Sequence, residues 1–299
     1  MKALLFGRDG QVGTALSARL PEVATEVVAL GRAGADFEVE GALAAIVERV
    51  RPDVIINAAA YTAVDKAESE QVRALRINAG AVAELADAAK AVGARLVHYS
   101  TDYVFDGSGT TPWVETDATG PLNAYGASKL AGEMAIAATG APHWVFRTSW
   151  VHAPGGNNFI AKILKAAQER DSLKVIDDQI GAPTSAALIA EVTVKALQSL
   201  SGARPLSDGI YHLQAAGETS WHGYARFAIN AARQRGFPIK VADDAIETVP
   251  TSAFVTPAKR PLNSRLATQK LRDGLGIDLP DWRDDAWPTL STLLPKDAS

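Results

Sequence analysis

The chain contains no cysteine, which excludes a disulfide framework and any thiolate metal site. It carries no excess of positive charge. Thirty Lys and Arg stand against 34 Asp and Glu, a net charge of −4, so no global basic field invites nucleic acid. No uninterrupted apolar stretch approaches the ~20 residues of a membrane helix, so no membrane association is expected. There are no repeats and no low-complexity tracts. The run from Met1 to Gly7 lacks the long apolar region and small-residue cleavage site of a signal peptide, and cytoplasmic residence is the expectation. What is present is 299 residues with 47% hydrophobic content, enough for a sizeable core in one large or two modest domains.

Ala3 to Phe6 is apolar without alternation, the mark of a buried parallel strand. It runs into Gly7-Arg8-Asp9-Gly10-Gln11-Val12-Gly13 and then a helical stretch, Thr14 to Leu20. Gly7, Gly10 and Gly13 permit a tight turn and close backbone approach, and the helix N-terminus offers free N–H groups to a pyrophosphate. Glu26 to Leu30 reads as a second strand. Its end would meet the adenosine ribose, where an acid bonds a 2′-hydroxyl. Gly31-Arg32 stands there instead, with Arg8 nearby, and a guanidinium suits a 2′-phosphate. NADPH is therefore the expected cofactor, with NADH possible. Asp36 and Phe37 are placed to flank the adenine.

Asp53 to Asn57 is a third strand, followed by the small residues Ala58, Ala59 and Ala60 and then Tyr61 and Thr62. Small residues at a strand end let a flat ligand approach the backbone. Ala67 to Val92 is strongly helical, and Arg95 to Tyr99 is a fourth strand leading to Thr101, Asp102 and Tyr103. Trp144 to Thr148 is a fifth, and Leu173 to Ile176 reads as a sixth. The β-α-β-α order argues for an α/β fold: a Rossmann-like, doubly wound parallel sheet with a smaller C-terminal α/β substrate lobe. The expected division gives residues 1–149, with a returning segment near 171–202, to dinucleotide binding. About 150–170 and 203–299 then form the substrate lobe, and the loop 154–158 opens it.

Tyr125-Gly-Ala-Ser-Lys129 opens the helix after the fourth strand. Residues four apart lie about 40° apart around a helix axis, so Tyr125 and Lys129 leave from one face. A phenol titrates near pH 10, and a close ammonium lowers that value. Thr101, at the end of strand four, adds a hydroxyl to the same region.

These residues make the chain resemble the extended short-chain dehydrogenase/reductase family, and within it the nucleotide-sugar ketoreductases. The resemblance covers nearly the whole chain. The glycine loop and the Tyr-x-x-x-Lys pair are general to the family. His98-Tyr99-Ser100-Thr101-Asp102-Tyr103-Val104-Phe105 and Asp178-Gln179 with Gly181-Ala182-Pro183-Thr184 are more specific. The resemblance implies reduction, by NADPH, of the C4 keto group of a dTDP-linked 4-keto-6-deoxy sugar. It implies that Tyr125 donates the proton, that Lys129 holds the nicotinamide ribose and lowers the phenol's pKa, and that Thr101 bonds the keto oxygen. It places Gln11, Val12, Ala60, Tyr61 and Thr62 against the cofactor, and Asp102, Tyr103 and Trp150 beside the sugar. The substrate's pyrophosphate calls for cations, and Arg260 and Arg265 are the candidates.

Some members of the family dimerise through a Mg²⁺ held by carboxylates. The corresponding stretches here, Gly13 to Leu16, Thr184 to Leu188 and Leu290 to Leu293, carry none, so no metal site is expected, no Mg²⁺-bridged dimer, and a monomer. Two other readings stay open. One is an epimerase or dehydratase that retains NAD⁺, against which Arg32 argues. The other is a binding subunit of the kind that regulates methionine adenosyltransferase, which an intact Tyr125, Lys129 and Thr101 do not exclude.

Overall fold

The computed structural model describes residues 1–155 and 158–294. Gly156 and Asn157 of the expected loop lie outside the described residues, as do residues 295–299. Among the described residues, twelve strands and eleven helices follow one another. They begin β1 (Lys2–Phe6), α1 (Gln11–Arg19), β2 (Glu26–Leu30), α2 (Ala42–Val50), β3 (Val54–Asn57), α3 (Val64–Ala67), α4 (Gln71–Leu75), α5 (Ala81–Val92), β4 (Arg95–Thr101), α6 (Ala124–Thr139) and β5 (His143–Thr148). Then come β6 (Val151–His152), α7 (Phe159–Glu169), β7 (Leu173–Ile176), β8 (Ile180–Gly181), β9 (Thr184–Ser185) and α8 (Ala186–Ser199). The chain ends with β10 (Gly209–His212), β11 (Thr219–Ser220), α9 (Trp221–Gln234), β12 (Ile246–Val249), α10 (Gln269–Leu275) and α11 (Trp282–Leu293).

Six strands pair in the order β10-β5-β4-β3-β1-β2, and every pairing is parallel. Alternate residues of each strand enter two separate cores. Ala3, Leu5, Val54, Ile56, Val97, Trp144 and Phe146 pack on one face, with α1 and α8. Leu4, Phe6, Ile55, Leu96 and Val145 pack on the other, with α2 and α5. Both faces are therefore apolar, which explains why these strands read as continuous hydrophobic runs. Burying such a side chain fully is worth about 1.5–3 kcal/mol. The strand order reverses between β1 and β3, and ligands in such sheets bind beyond the strand ends at that reversal.

The sixth strand is not the one expected. Leu173–Ile176 lies outside the large sheet and pairs in parallel with Ile246–Val249 in the second lobe. Gly209–His212, expected in the substrate lobe, completes the sheet beside β5. Leu-Lys-Val-Ile alternates, with Lys174 exposed between buried Leu173 and Val175, and its partner is set by tertiary context. The long helix expected over 67–92 is also broken. Its centre, Arg76–Gly80, is a π-helical turn between α4 and α5. No helix among the described residues is long and apolar enough to cross a membrane.

Candidate active site

A cleft of about 740 Å³ opens beyond the carboxyl ends of β1, β3 and β4. At its floor β1 turns at Gly7 with φ +81°, in the left-handed region that favours glycine. A Cβ on Gly7 would stand 2.5 Å from the Ala59 nitrogen, and one on Gly13 would stand 2.0 Å from the Gly7 oxygen. The three segments can meet only without those side chains. The N-terminus of α1 is capped by Gly10, with no side chain bonded to its free N–H groups. Those groups, with the partial positive charge of the helix end, suit a pyrophosphate.

Gly7, Gly10, Gln11, Val12, Arg32, Asp36, Phe37, Ala60 and Thr62 all stand on the cleft wall. Gly13 supports the loop from below rather than lining the cleft. Tyr61 does not line it either. Its hydroxyl turns away to donate to Glu70 Oε2 at 2.9 Å. Its backbone is held by Asn78 of the π-turn, which accepts from the Tyr61 N–H at 2.8 Å and donates to the Tyr61 carbonyl at 3.0 Å. An extra residue in a helix costs regular hydrogen bonds, and such turns gather at functional sites.

At the other end β4 delivers Thr101. Its hydroxyl accepts from the Tyr103 N–H at 3.2 Å and donates to Asp102 Oδ1 at 3.0 Å. Tyr125 stands in the first turn of α6, which is capped by Asn123 Oδ1 accepting from the Gly126 N–H at 2.8 Å. Gly126 is needed there, since a Cβ would sit 2.2 Å from the Tyr103 carbonyl oxygen. The Tyr103 and Tyr125 rings meet edge to face at 5.7 Å. Thr101 and Tyr125 line the same end of the cleft.

The electrostatics differ from the expectation. Burial pushes the Tyr125 phenol up to about 12, the Thr101 hydroxyl draws it down, and the Asp102 carboxylate adds to the rise. Lys129 does not turn its amine to the phenol. Its Nζ donates to the Tyr99 carbonyl at 2.7 Å and meets His98 Nε2 at 3.0 Å. Burial takes the Lys129 ammonium down to about 8, opposed by the Glu133 carboxylate. Burial also lifts Asp102 to about 6, against hydrogen bonds from Ser264 and Thr101.

Trp150 follows β5 with φ +47°, a conformation costing a non-glycine residue about 1–3 kcal/mol. The strain aims its indole at the cleft, where Trp221 stacks on it with centroids 3.7 Å apart. Trp221 in turn donates from Nε1 to Gln179 Oε1 at 2.9 Å. Nothing in the local sequence pattern singled out Trp221 or Asn57, which also lines the cleft. The signal that could have found Trp221 is the preceding Ser220, which caps α9 by accepting from the Gly223 N–H at 3.0 Å.

Arg260 and Arg265 are not on the cleft wall. Arg260 Nη2 pairs with Asp65 at 2.8 Å, and Arg265 Nε pairs with Glu218 at 2.6 Å. A carboxylate lies within reach of each, which a reading of charge alone did not reveal. Among the described residues no group of three or more His, Cys, Asp or Glu side chains is gathered to hold a metal ion.

Buried side-chain atoms without a partner mark the cleft as polar in its depth: Gln11 Oε1, Ser100 Oγ, Asp102 Oδ2 and Thr148 Oγ1 all belong to lining residues. A long groove with a glycine floor, polar walls and a phenol at its end fits a dinucleotide and a carbonyl substrate. That combination is the site of a dinucleotide-dependent oxidoreductase.

The chain belongs to the family described as the RmlD substrate binding domain, whose family model matches residues 1–294. It is 50% identical over 287 residues to a dTDP-4-dehydrorhamnose reductase of Shigella flexneri, covering 95% of each chain. It is 41% identical over 298 residues to one from Sinorhizobium fredii, covering 98% of each. Among solved structures, dTDP-4-dehydrorhamnose reductase from Bacillus anthracis in complex with NADP superposes with a TM-score of 0.88 at 32% identity. That match covers 97% of this chain and 98% of the other.

Proposed function

We propose that this chain reduces the C4 keto group of dTDP-4-dehydro-6-deoxy-L-mannose with NADPH, giving dTDP-L-rhamnose. The observation that carries the reading is the meeting of Thr101 and Tyr125 at the end of a cleft whose floor is the glycine loop. The relatives named for this reaction, and the NADP held by one of them, support it.

NADPH supplies the hydride when bound. Gly7, Gly10 and the α1 N-terminus would hold its pyrophosphate, Arg32 its 2′-phosphate, Asp36 and Phe37 its adenosine, and Lys129 its nicotinamide ribose. Gln11, Val12, Ala60 and Thr62 would line its path. Thr101 turns its single hydroxyl proton from Asp102 Oδ1 to the C4 carbonyl oxygen and hydrogen-bonds it as charge develops there, an effect worth about 2.7–4 kcal/mol for one well-placed donor. Tyr125 gives its proton to that oxygen. Its raised pKa keeps it protonated at neutral pH, and an alkoxide is a stronger base than the phenolate left behind. Asp102, Tyr103 and Trp150 frame the sugar ring. Arg260 serves the substrate's pyrophosphate only by exchanging Asp65 for phosphate. Its place against Tyr103 supports that role, whereas Arg265 lies with Glu218. Residues 1–149 with 171–202 would form the cofactor half and the remainder the substrate half, adjusted for the exchange of β7 and β10. The protein works as a cytoplasmic monomer in this reading. The test is NADPH oxidation on addition of the keto sugar, wild type beside Tyr125→Phe.

A further inference from the structure

The end of β2 lacks the acid that a dinucleotide fold sets against the adenosine ribose. Gly31 stands there, and a carboxylate from another segment has taken the space its side chain would fill. A Cβ on Gly31 would meet Asp9 Cγ at 2.8 Å and Oδ2 closer still, and the three heavy atoms nearest to it all belong to Asp9. Asp9 comes from the glycine loop, between Gly7 and Gly10, and lines the cleft with Gly31 and Arg32. Arg8 steadies it. The Arg8 Nε donates to Asp9 Oδ1 at 3.3 Å, and its Nη1 donates to the Ala29 carbonyl of β2 at 3.2 Å. Arg8 is thus tied to the loop and the strand, and among the described residues Arg32 is the cation on that end of the cleft wall. The two other acids there are engaged. Asp36 Oδ1 accepts from the Glu38 N–H at 2.9 Å, and Glu38 pairs with Arg73 at 2.7 Å.

We propose that Asp9 is a specificity-determining residue for the cofactor, its carboxylate standing in for the missing acid at the end of β2. Asp9 Oδ2 accepts from the 2′-hydroxyl of an NADH adenosine ribose. Toward the 2′-phosphate of NADPH the same carboxylate is a like charge, and it opposes the attraction of Arg32. Arg32 and Asp9 therefore pull the selection in opposite directions, so the site favours NADPH and still admits NADH. The Asp9 side chain is largely exposed, so water and salt screen its charge and hold the effect to about tenfold. The inference rests on the NADPH-dependent ketoreductase reading.

The test is the dissociation constant of each reduced cofactor, followed by nicotinamide fluorescence at fixed ionic strength with no sugar present. Asp9→Asn keeps the shape and removes the charge. It should raise the ratio of the NADH to the NADPH dissociation constant about tenfold, through tighter NADPH and weaker NADH. Asp9→Ala should move the ratio the same way, and it clears the space beside Gly31. Adding Gly31→Asp to it returns a carboxylate from the strand side and should bring the ratio back toward the wild-type value, which a merely structural role for Asp9 would not do. A ratio unchanged by Asp9→Asn, or left at the Asp9→Ala value in the double variant, would overturn the proposal. Binding is read without turnover, so a shifted ratio in a protein that fails to reduce the keto sugar would defeat the functional reading and leave Asp9 in its role.

Discussion

The indoles of Trp150 and Trp221 stack with their centroids 3.7 Å apart and their planes 16° apart, joining the end of β5 to the start of α9 across the cleft. Trp150 lies just past β5 of the large sheet, and Trp221 opens α9. Stacking beyond area burial is worth about 0.5–1.5 kcal/mol. Trp221→Ala should raise KM for the nucleotide sugar roughly tenfold and leave KM for NADPH unchanged. Initial-rate kinetics varying each substrate in turn would show this; an unchanged sugar KM would remove Trp221 from the site.

Stability should depend on a second buried pair. Glu133 and Arg147 form an ion pair almost closed to solvent, with Phe105 lying 5.0 Å beneath the guanidinium. Glu133→Gln strands the Arg147 charge, at a cost of about 3–5 kcal/mol, which in a chain of this size lowers Tm by about 10 °C. The double variant Glu133→Met with Arg147→Met should be less damaging, because neither charge is then left alone. Calorimetry that ranks the double variant below the single one would contradict this.

Asp102 gives the fold a pH dependence of definite sign. Its folded pKa is lifted from 3.8 to about 6 by burial, so the fold prefers the protonated acid. That preference is fully present below pH ~4 and is lost as pH rises through about 6, a change of about 3 kcal/mol by linkage. Asp102→Asn keeps the shape and removes the titration. The variant should therefore gain stability relative to wild type between pH 4 and pH 8, read from urea midpoints. A constant difference across that range would show that Asp102 titrates normally.

Cofactor preference should turn on Arg32, which stands exposed on the cleft wall beyond β2. Arg32→Ala should lower kcat/KM for NADPH at least tenfold and change that for NADH little, since a charge-assisted phosphate contact is worth about 1.5–3 kcal/mol. Equal losses with both cofactors would mean that Arg32 serves the fold and not the 2′-phosphate.

Much of this arrangement was legible in the sequence where the signal is local. Gly7, Gly10 and Gly13 announce a turn by spacing, and Tyr125 and Lys129 share a helix face by arithmetic. The alternation of β1 into two cores is invisible in Ala-Leu-Leu-Phe, yet the run itself says that both faces are covered. Signals that depend on distant partners were not legible. Leu173–Ile176 alternates as a strand with one buried face does, and Ile246–Val249 decides where it pairs. Arg260 and Arg265 offered cations, but Asp65 and Glu218 lie almost 200 and about 50 positions away. Tyr-x-x-x-Lys gave the two side chains a common face without showing that burial would dominate the phenol, or that His98 and Tyr99 would take the amine.

The central claim is that Tyr125 is the proton donor in reduction of a C4 keto sugar nucleotide. Loss of NADPH absorbance with dTDP-6-deoxy-L-lyxo-4-hexulose tests it most directly, wild type beside Tyr125→Phe. Removing only the phenolic oxygen should leave the fold and NADPH affinity intact and lower kcat at least 100-fold, the lower end of the range for a general acid. Turnover by the phenylalanine variant near the wild-type rate would contradict the assignment.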